Sequence, residues 1–144
     1  MPTPEQLQKL IAPLFPGLMG VEIAEATPER IVATLLVRPE LCTSGGVCHG
    51  GAYMAFADEL GGLAAGLNLP PGMGTTTIES KTNFLRASLP GRLTAEAVPV
   101  HVGDRAILVQ TTIYRPDGKP AAVVTQTQLV LPRDHKPPTP GPVI

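Results

Sequence analysis

The stretch Cys48-His49-Gly50-Gly51-Ala52-Tyr53-Met54-Ala55-Phe56-Ala57-Asp58 decides how this chain is read. Two glycines open an apolar run of helix formers, and a carboxylate follows two turns further on. A helix N-terminus presents unpaired backbone N–H groups and the positive end of the helix dipole. Glycine there lets a carbonyl oxygen approach with no Cβ in its path. Asp58 stands among Phe56, Ala57, Leu60 and Leu63, and an acid on so apolar a helix needs a reason. An electrophile-binding end and a candidate nucleophile or base on one helix suggest acyl chemistry. The run from Gly50 to Leu69 has the length of a membrane span, but Asp58 and Glu59 at its middle would each cost about 2.5–3.5 kcal/mol there. It reads as a buried helix.

Around this helix lie 144 residues, enough for one domain with a single sizeable core. Apolar residues make up 43% and charged ones 16%, which excludes a disordered chain for most of the length. With three Phe, two Tyr and no Trp, the core must be filled by Val, Leu, Ile and Ala. A net charge of −1 and the lack of any basic cluster argue against a nucleic-acid partner. Pro2, Pro4 and Glu5 precede any apolar stretch, so no signal peptide is expected. Cys42 and Cys48 fit a reducing compartment at least as well as a disulfide. The expected location is cytoplasmic, with no membrane partner.

Leu7, Leu10, Ile11 and Leu14 recur at helical spacing, predicting one short helix from about Pro4 to Phe15, ended by Pro13 and Pro16. Strands are expected over Met19–Ala26 and Arg30–Arg38, with Thr27-Pro28-Glu29 as the turn. Leu41–Cys48 is a Gly/Ser/Thr loop, and the long helix runs from His49 or Gly50 to about Leu67-Asn68. Thr75–Leu85, Arg92–Val102, Arg105–Tyr114 and Ala121–Leu131 alternate and are rich in Thr, Val and Ile, as strands are. Pro90-Gly91, Gly103-Asp104 and Pro116-Asp117-Gly118 separate them and predict short antiparallel connections. The domain therefore spans 1–131, and the Pro-rich stretch 132–144 is expected to be extended or disordered. The order α-β-β-α-β-β-β-β gives an α+β domain, with about six antiparallel strands and one long helix that wants burial all round. Wrapping the sheet round the helix satisfies both.

This order, with His49-Gly50-Gly51, Asp58, Thr77-Ile78-Glu79, Asn83-Phe84-Leu85-Arg86 and Gly103-Asp104-Arg105, resembles the hotdog-fold acyl-CoA thioesterases. It is most similar to the phenylacetate-pathway and 4-hydroxybenzoyl-CoA type subfamily, over roughly residues 17 to 131. The spacing from His49 to Asp58 is the most specific part. The resemblance implies a catalytic carboxylate at Asp58, a carbonyl-polarising N–H at Gly50 and a hydroxyl at Thr77 that places water or the carboxylate. It also implies dimers, often paired into tetramers. Thr43 departs from the pattern, because six residues before the histidine the subfamily commonly has Asn or Gln. Here Thr43 or Ser44 would have to hold water or the thioester with a shorter hydroxyl.

Each candidate has a plainer reading. Asp58 could simply face water beside Glu59; Glu59 is the better choice for the solvated face, since adjacent helix positions diverge by about 100°. Gly61, Gly62 and Ala65 share the face of Asp58 and leave room for substrate, or else permit close helix–strand packing. Gly50, with Gly51 as second choice, either begins the helix or binds the thioester carbonyl. His49 either holds the loop or takes a direct catalytic part. Asn83 is counted with the substrate-binding residues. Lys81, Arg86 and Arg105 could pair with the phosphates of coenzyme A or be solvated strand-edge charges. A Cys48 nucleophile is disfavoured, since sequence neighbours rarely face one another. Cys42, Cys48 and His49 match no zinc spacing. Gly72-Met73-Gly74 lacks the third glycine and following helix of a dinucleotide fingerprint. No metal or cofactor is expected, coenzyme A being part of the substrate.

Gly50 and Asp58 are eight residues apart, about 12 Å along a helix. A carbonyl bound at one cannot be attacked by the other within one subunit. Two such helices, antiparallel about a two-fold axis, would bring Asp58 of one chain to Gly50 of the other. The expected activity is acyl-CoA hydrolysis in a shared site, with a non-catalytic acyl-CoA-binding or ligand-sensing module as the alternative.

Overall fold

The computed structural model describes residues 1–134. Ten elements follow in order: helices α1 (Pro4–Ile11) and α2 (Phe15–Met19), strands β1 (Val21–Ala26) and β2 (Ile31–Val37), a 3-10 turn at Pro39–Leu41, helix α3 (Gly50–Gly66), and strands β3 (Met73–Phe84), β4 (Gly91–Val102), β5 (Ala106–Tyr114) and β6 (Pro120–Pro132). The six strands form one antiparallel sheet in the order β1-β2-β4-β5-β6-β3. The sheet curls round α3 in the hotdog arrangement.

Three expectations need correcting. The single N-terminal helix is two, because Pro16 lies in the first turn of α2, where its missing N–H costs nothing. Gly20 closes α2 at a φ of 91°, a conformation open to glycine. Pro90-Gly91 is no hairpin either: β3 pairs with β6 at the sheet edge, whereas β4 lies between β2 and β5. The segment between them is held by Leu85 and Arg86 N–H groups donating to Ala121 O, and by Cys48 N–H donating to Ser88 O. Finally, Pro132 and Arg133, assigned to the Pro-rich stretch, belong to the folded domain. Pro132 ends β6, and Arg133 donates from its backbone N to Gly72 O and from Nε to Met73 O. The remainder of the stretch, 135–144, lies outside the described residues.

Phe56, Ala57, Leu60, Ala64 and Ala65 of α3 are fully buried against Ala33, Leu35, Leu93, Ala95, Val109, Ile113 and Val124 of the sheet. Alanines at 33, 95 and 97 keep the sheet floor low, so the helix can lie close to it. Burial is not complete all round. Gly51, Met54, Asp58 and Gly66 form an open line along α3. β3, the outer strand beside it, exposes Ile78 and Phe84.

The two adjacent acids are therefore placed the opposite way from expectation. Asp58 is exposed in the protomer and Glu59 is the one partly buried. Burial raises the Glu59 carboxyl above its ordinary range, and the neighbouring Asp58 charge adds to this. The folded state thus keeps the Glu59 proton after the unfolded chain has released its own, and stability falls as pH rises from the ordinary glutamate range to the raised folded value. Glu59→Gln cannot ionise and should avoid that loss. Its melting temperature should match wild type near pH 4 and exceed it near pH 7. Melts at both values, followed by circular dichroism, check this.

Candidate active site

The start of α3 is built by its own sequence. His49 is the N-cap, and its Nδ1 accepts the Gly51 N–H at 2.8 Å. This fixes the neutral imidazole with its proton on Nε2. It also separates the two glycines: the Gly51 N–H is occupied, whereas the Gly50 N–H has no acceptor among the described residues. A Cβ on Gly50 would sit 3.2 Å from the Phe84 ring, which would have to give by a few tenths of an ångström. Beside this N–H is a hollow of about 340 Å³ lined by Val47, Gly50, Tyr53, Phe84, Leu85 and Arg86. A free donor at the positive helix end, next to an apolar hollow, suits a carbonyl oxygen that gains negative charge.

Two turns along, Asp58 is held rather than merely exposed. Its Oδ1 accepts from Thr77 Oγ1 at 3.1 Å and from Gln126 Nε2 at 3.2 Å. Gln126 Nε2 also reaches the Asp58 backbone oxygen at 3.4 Å. Thr77 Oγ1 in turn accepts from Gln128 Nε2 at 2.7 Å, and Thr75 Oγ1 lies 3.1 Å from Gln128 Oε1. Asp58 Oδ2 has no hydrogen-bond partner among the described residues.

Thr77 reaches this position because of a β-bulge. The β3–β6 register runs Thr77↔Gln128 and then Glu79↔Thr127, leaving Ile78 as the extra residue. Before it, Thr75 and Thr77 face the helix; after it, the even-numbered Ser80, Thr82 and Phe84 do. Lys81 and Asn83 consequently pair with Thr125 and Val123 on the outer face of the sheet, away from Asp58 and Gly50 of the same chain. Arg86 borders the hollow at Gly50, and its Nη1 donates to Pro120 O. Thr43 Oγ1 accepts the Gly45 N–H at 3.2 Å, within its own loop. Gly62 faces open space, but Gly61 does not, because the Gln126 carboxamide fills the place a Cβ would take. Arg105 sits at the start of β5, where its backbone oxygen accepts from Val130 N.

Two residues of the site, Gln126 and Gln128, escaped the sequence reading. They are fully buried, and they fall in phase with Val124 and Val130 on the inward face of β6. Two amides at core positions of a strand were the available signal, since buried polar groups require partners. Cys42 and Cys48 are free thiols, and burial pushes Cys48 up to about 11, so it is protonated at neutral pH. Among the described residues no three His, Cys, Asp or Glu side chains gather as metal ligands, and no helix is long and apolar enough to cross a membrane.

The model of the Thioesterase superfamily matches residues 45–122, more than half of the chain and the part that carries both Gly50 and Asp58. A thioesterase structure from Haemophilus influenzae is similar with a TM-score of 0.89 and 29% identity, covering 94% of this chain and 96% of that one. A thioesterase of Pseudomonas aeruginosa, solved as a glutamine-to-alanine mutant, gives 0.87 and 28%, covering 92% and 96%. The 1,4-dihydroxy-2-naphthoyl-CoA hydrolase of Escherichia coli is 24% identical over 103 residues, 72% of this chain and 76% of its own. Sequence, fold and family match agree: the chain belongs to the thioesterase superfamily.

Proposed function

We propose that this protein hydrolyses acyl-CoA thioesters to a carboxylic acid and coenzyme A, in a site shared by two copies of the chain. The observation that carries the reading is one helix with an unoccupied N-terminal donor at Gly50 and a hydrogen-bonded carboxylate at Asp58, its second oxygen unpartnered. The coenzyme A thioester is supported by the name of the E. coli relative. The two-chain arrangement rests on reach. Eight residues of helix separate the groups by about 12 Å, too far for one bound carbonyl. The open line Gly51, Met54, Asp58, Gly66 and the long free edge of β3 offer a second copy its place.

In this reading the thioester oxygen accepts the Gly50 N–H, whose hydrogen bond strengthens as the tetrahedral oxyanion forms. Asp58 of the facing chain then acts by one of two routes. Its carboxylate attacks the carbonyl carbon, the C–S bond breaks, and coenzyme A leaves as the thiolate; water then hydrolyses the mixed anhydride. Alternatively it takes a proton from a water that attacks directly, with the same bond broken. Thr77 orients the carboxylate in both. His49 keeps the helix start capped so that the Gly50 N–H stays free. A non-catalytic acyl-CoA-binding module would need the helix start but no held carboxylate, so Asp58 and its partners favour the enzyme.

Thiol release from phenylacetyl-, 4-hydroxybenzoyl- and hexanoyl-CoA tests the activity. Asp58→Asn should lower turnover roughly 10²–10⁴-fold while acyl-CoA still binds. Full turnover in that variant would overturn the assignment. The shared site has its own test. Asp58→Asn chains mixed with folded Gly50→Pro chains, which lack the polarising N–H, should form about half heterodimers, each with one intact site. Activity should recover to about a quarter of wild type after subunit exchange, and recovery near zero would place both groups in one chain.

A further inference from the structure

Asp58 is reached by an inward run of polar residues on two strands. Gln126 Nε2 faces two acceptors, Asp58 Oδ1 and Asp58 O. Only the N–H side of the amide suits that position, and its Oε1 is left buried without a partner. An unpartnered buried oxygen is unfavourable to folding, so this amide is kept for something other than stability. Gly61 is its counterpart. A Cβ there would lie 2.2 Å from Gln126 Cδ, so the carboxamide lies flat against the helix only because residue 61 is glycine.

Gln128 acts one step further back. Its Nε2 donates to Thr77 Oγ1, which leaves the single Thr77 proton to point at Asp58 Oδ1. Its Oε1 lies 3.1 Å from Thr75 Oγ1, whose hydroxyl has Leu129 O at the same distance as a second acceptor. Both glutamines are at most 1% exposed, so their rotamers are set by packing. One oxygen of Asp58 thus receives two donors and the other receives none.

Resting on the reading of Asp58 as the catalytic carboxylate, we propose that Gln126 and Gln128 are positioning residues that pin Asp58 Oδ1, Gln126 directly and Gln128 through Thr77, so that Oδ2 is the oxygen presented to substrate. Neither donor carries a charge of its own.

The test uses Gln126→Leu and Gln128→Leu beside Asp58→Asn, assayed with the fastest of the three acyl-CoAs above. Leucine fills similar volume without donating; Gln126 gives up an amide whose oxygen is already unpartnered, and Gln128 gives up its bonds to Thr75 and Thr77. We expect kcat to fall roughly ten- to a hundredfold in each variant. KM should stay within about twofold, because neither glutamine touches substrate in this reading. Both variants should still melt well above the assay temperature. Unchanged kcat in both, with Asp58→Asn inactive, would overturn the positioning roles and leave the catalytic carboxylate standing. An active Asp58→Asn would overturn the reading beneath them instead. A rise in KM alone would place the glutamines against substrate, also contrary to the proposal. Gln126→Met and Gln128→Met, which lack the donor but fit more freely, cover a misfolded leucine variant; loss of fold in both series would make the residues structural and refute the proposal.

Discussion

Enclosing α3 is the constraint from which the rest of this structure follows. Phe56, Ala57, Leu60, Ala64 and Ala65 leave no fully buried helix face polar, so the helix must be covered by apolar surface across most of its girth. A flat sheet cannot do that. A six-stranded antiparallel sheet with alanines along its inner floor can curl round the helix, and its inward Val, Leu and Ile supply the cover. The helix is thereby rigidly held, and the groups it carries inherit that rigidity: the N–H at Gly50 and the carboxylate at Asp58 cannot shift relative to one another.

That fixed separation has an electrostatic use. A carboxylate is itself a good partner for a helix N-terminus. Were Asp58 one turn from Gly50, it could fold back and occupy the donor. At two turns' distance it cannot, and His49 satisfies the neighbouring Gly51 N–H without reaching that of Gly50. The donor is therefore without an acceptor among the described residues, and the carboxylate is held by the strands. On the strand side the hydroxyl of Thr77 and the amides of Gln126 and Gln128 hold it while carrying no charge of their own.

The strands and the long helix were legible in the sequence to within a few residues, because alternation and helical spacing report directly on which side of an element is buried. The start of the long helix at His49-Gly50 was legible too, from its pair of glycines, and Asp58 stood out as an acid among alanines. What could not be read was three-dimensional phase. Glu59 and Asp58 differ by one step on the helix, and only the position of β3 decides which of them is desolvated. Pro16 looked like a stop and acts as a start, because the same ring that breaks a helix interior suits its first turn. The glutamines of β6 required knowing which strand lies under Asp58. Pro90-Gly91 looked like a hairpin, because nothing local says that β3 skips to the far edge of the sheet.

The bulge at Ile78 joins the two ends of the site in a way that the residue types alone do not suggest. Thr77 touches the carboxylate and Phe84 lies over the helix start, yet the two are an odd number of residues apart. In an uninterrupted strand they would point to opposite faces, and β3 could serve only one of them. A single unpaired residue changes the parity and lets one strand serve both. Its length between these positions is therefore quantised: one residue more or fewer would turn either the hydroxyl or the ring outward. Among related chains, gains and losses of residues should then be confined to the stretches on either side of Thr77–Phe84, while the side chains inside it remain free to vary.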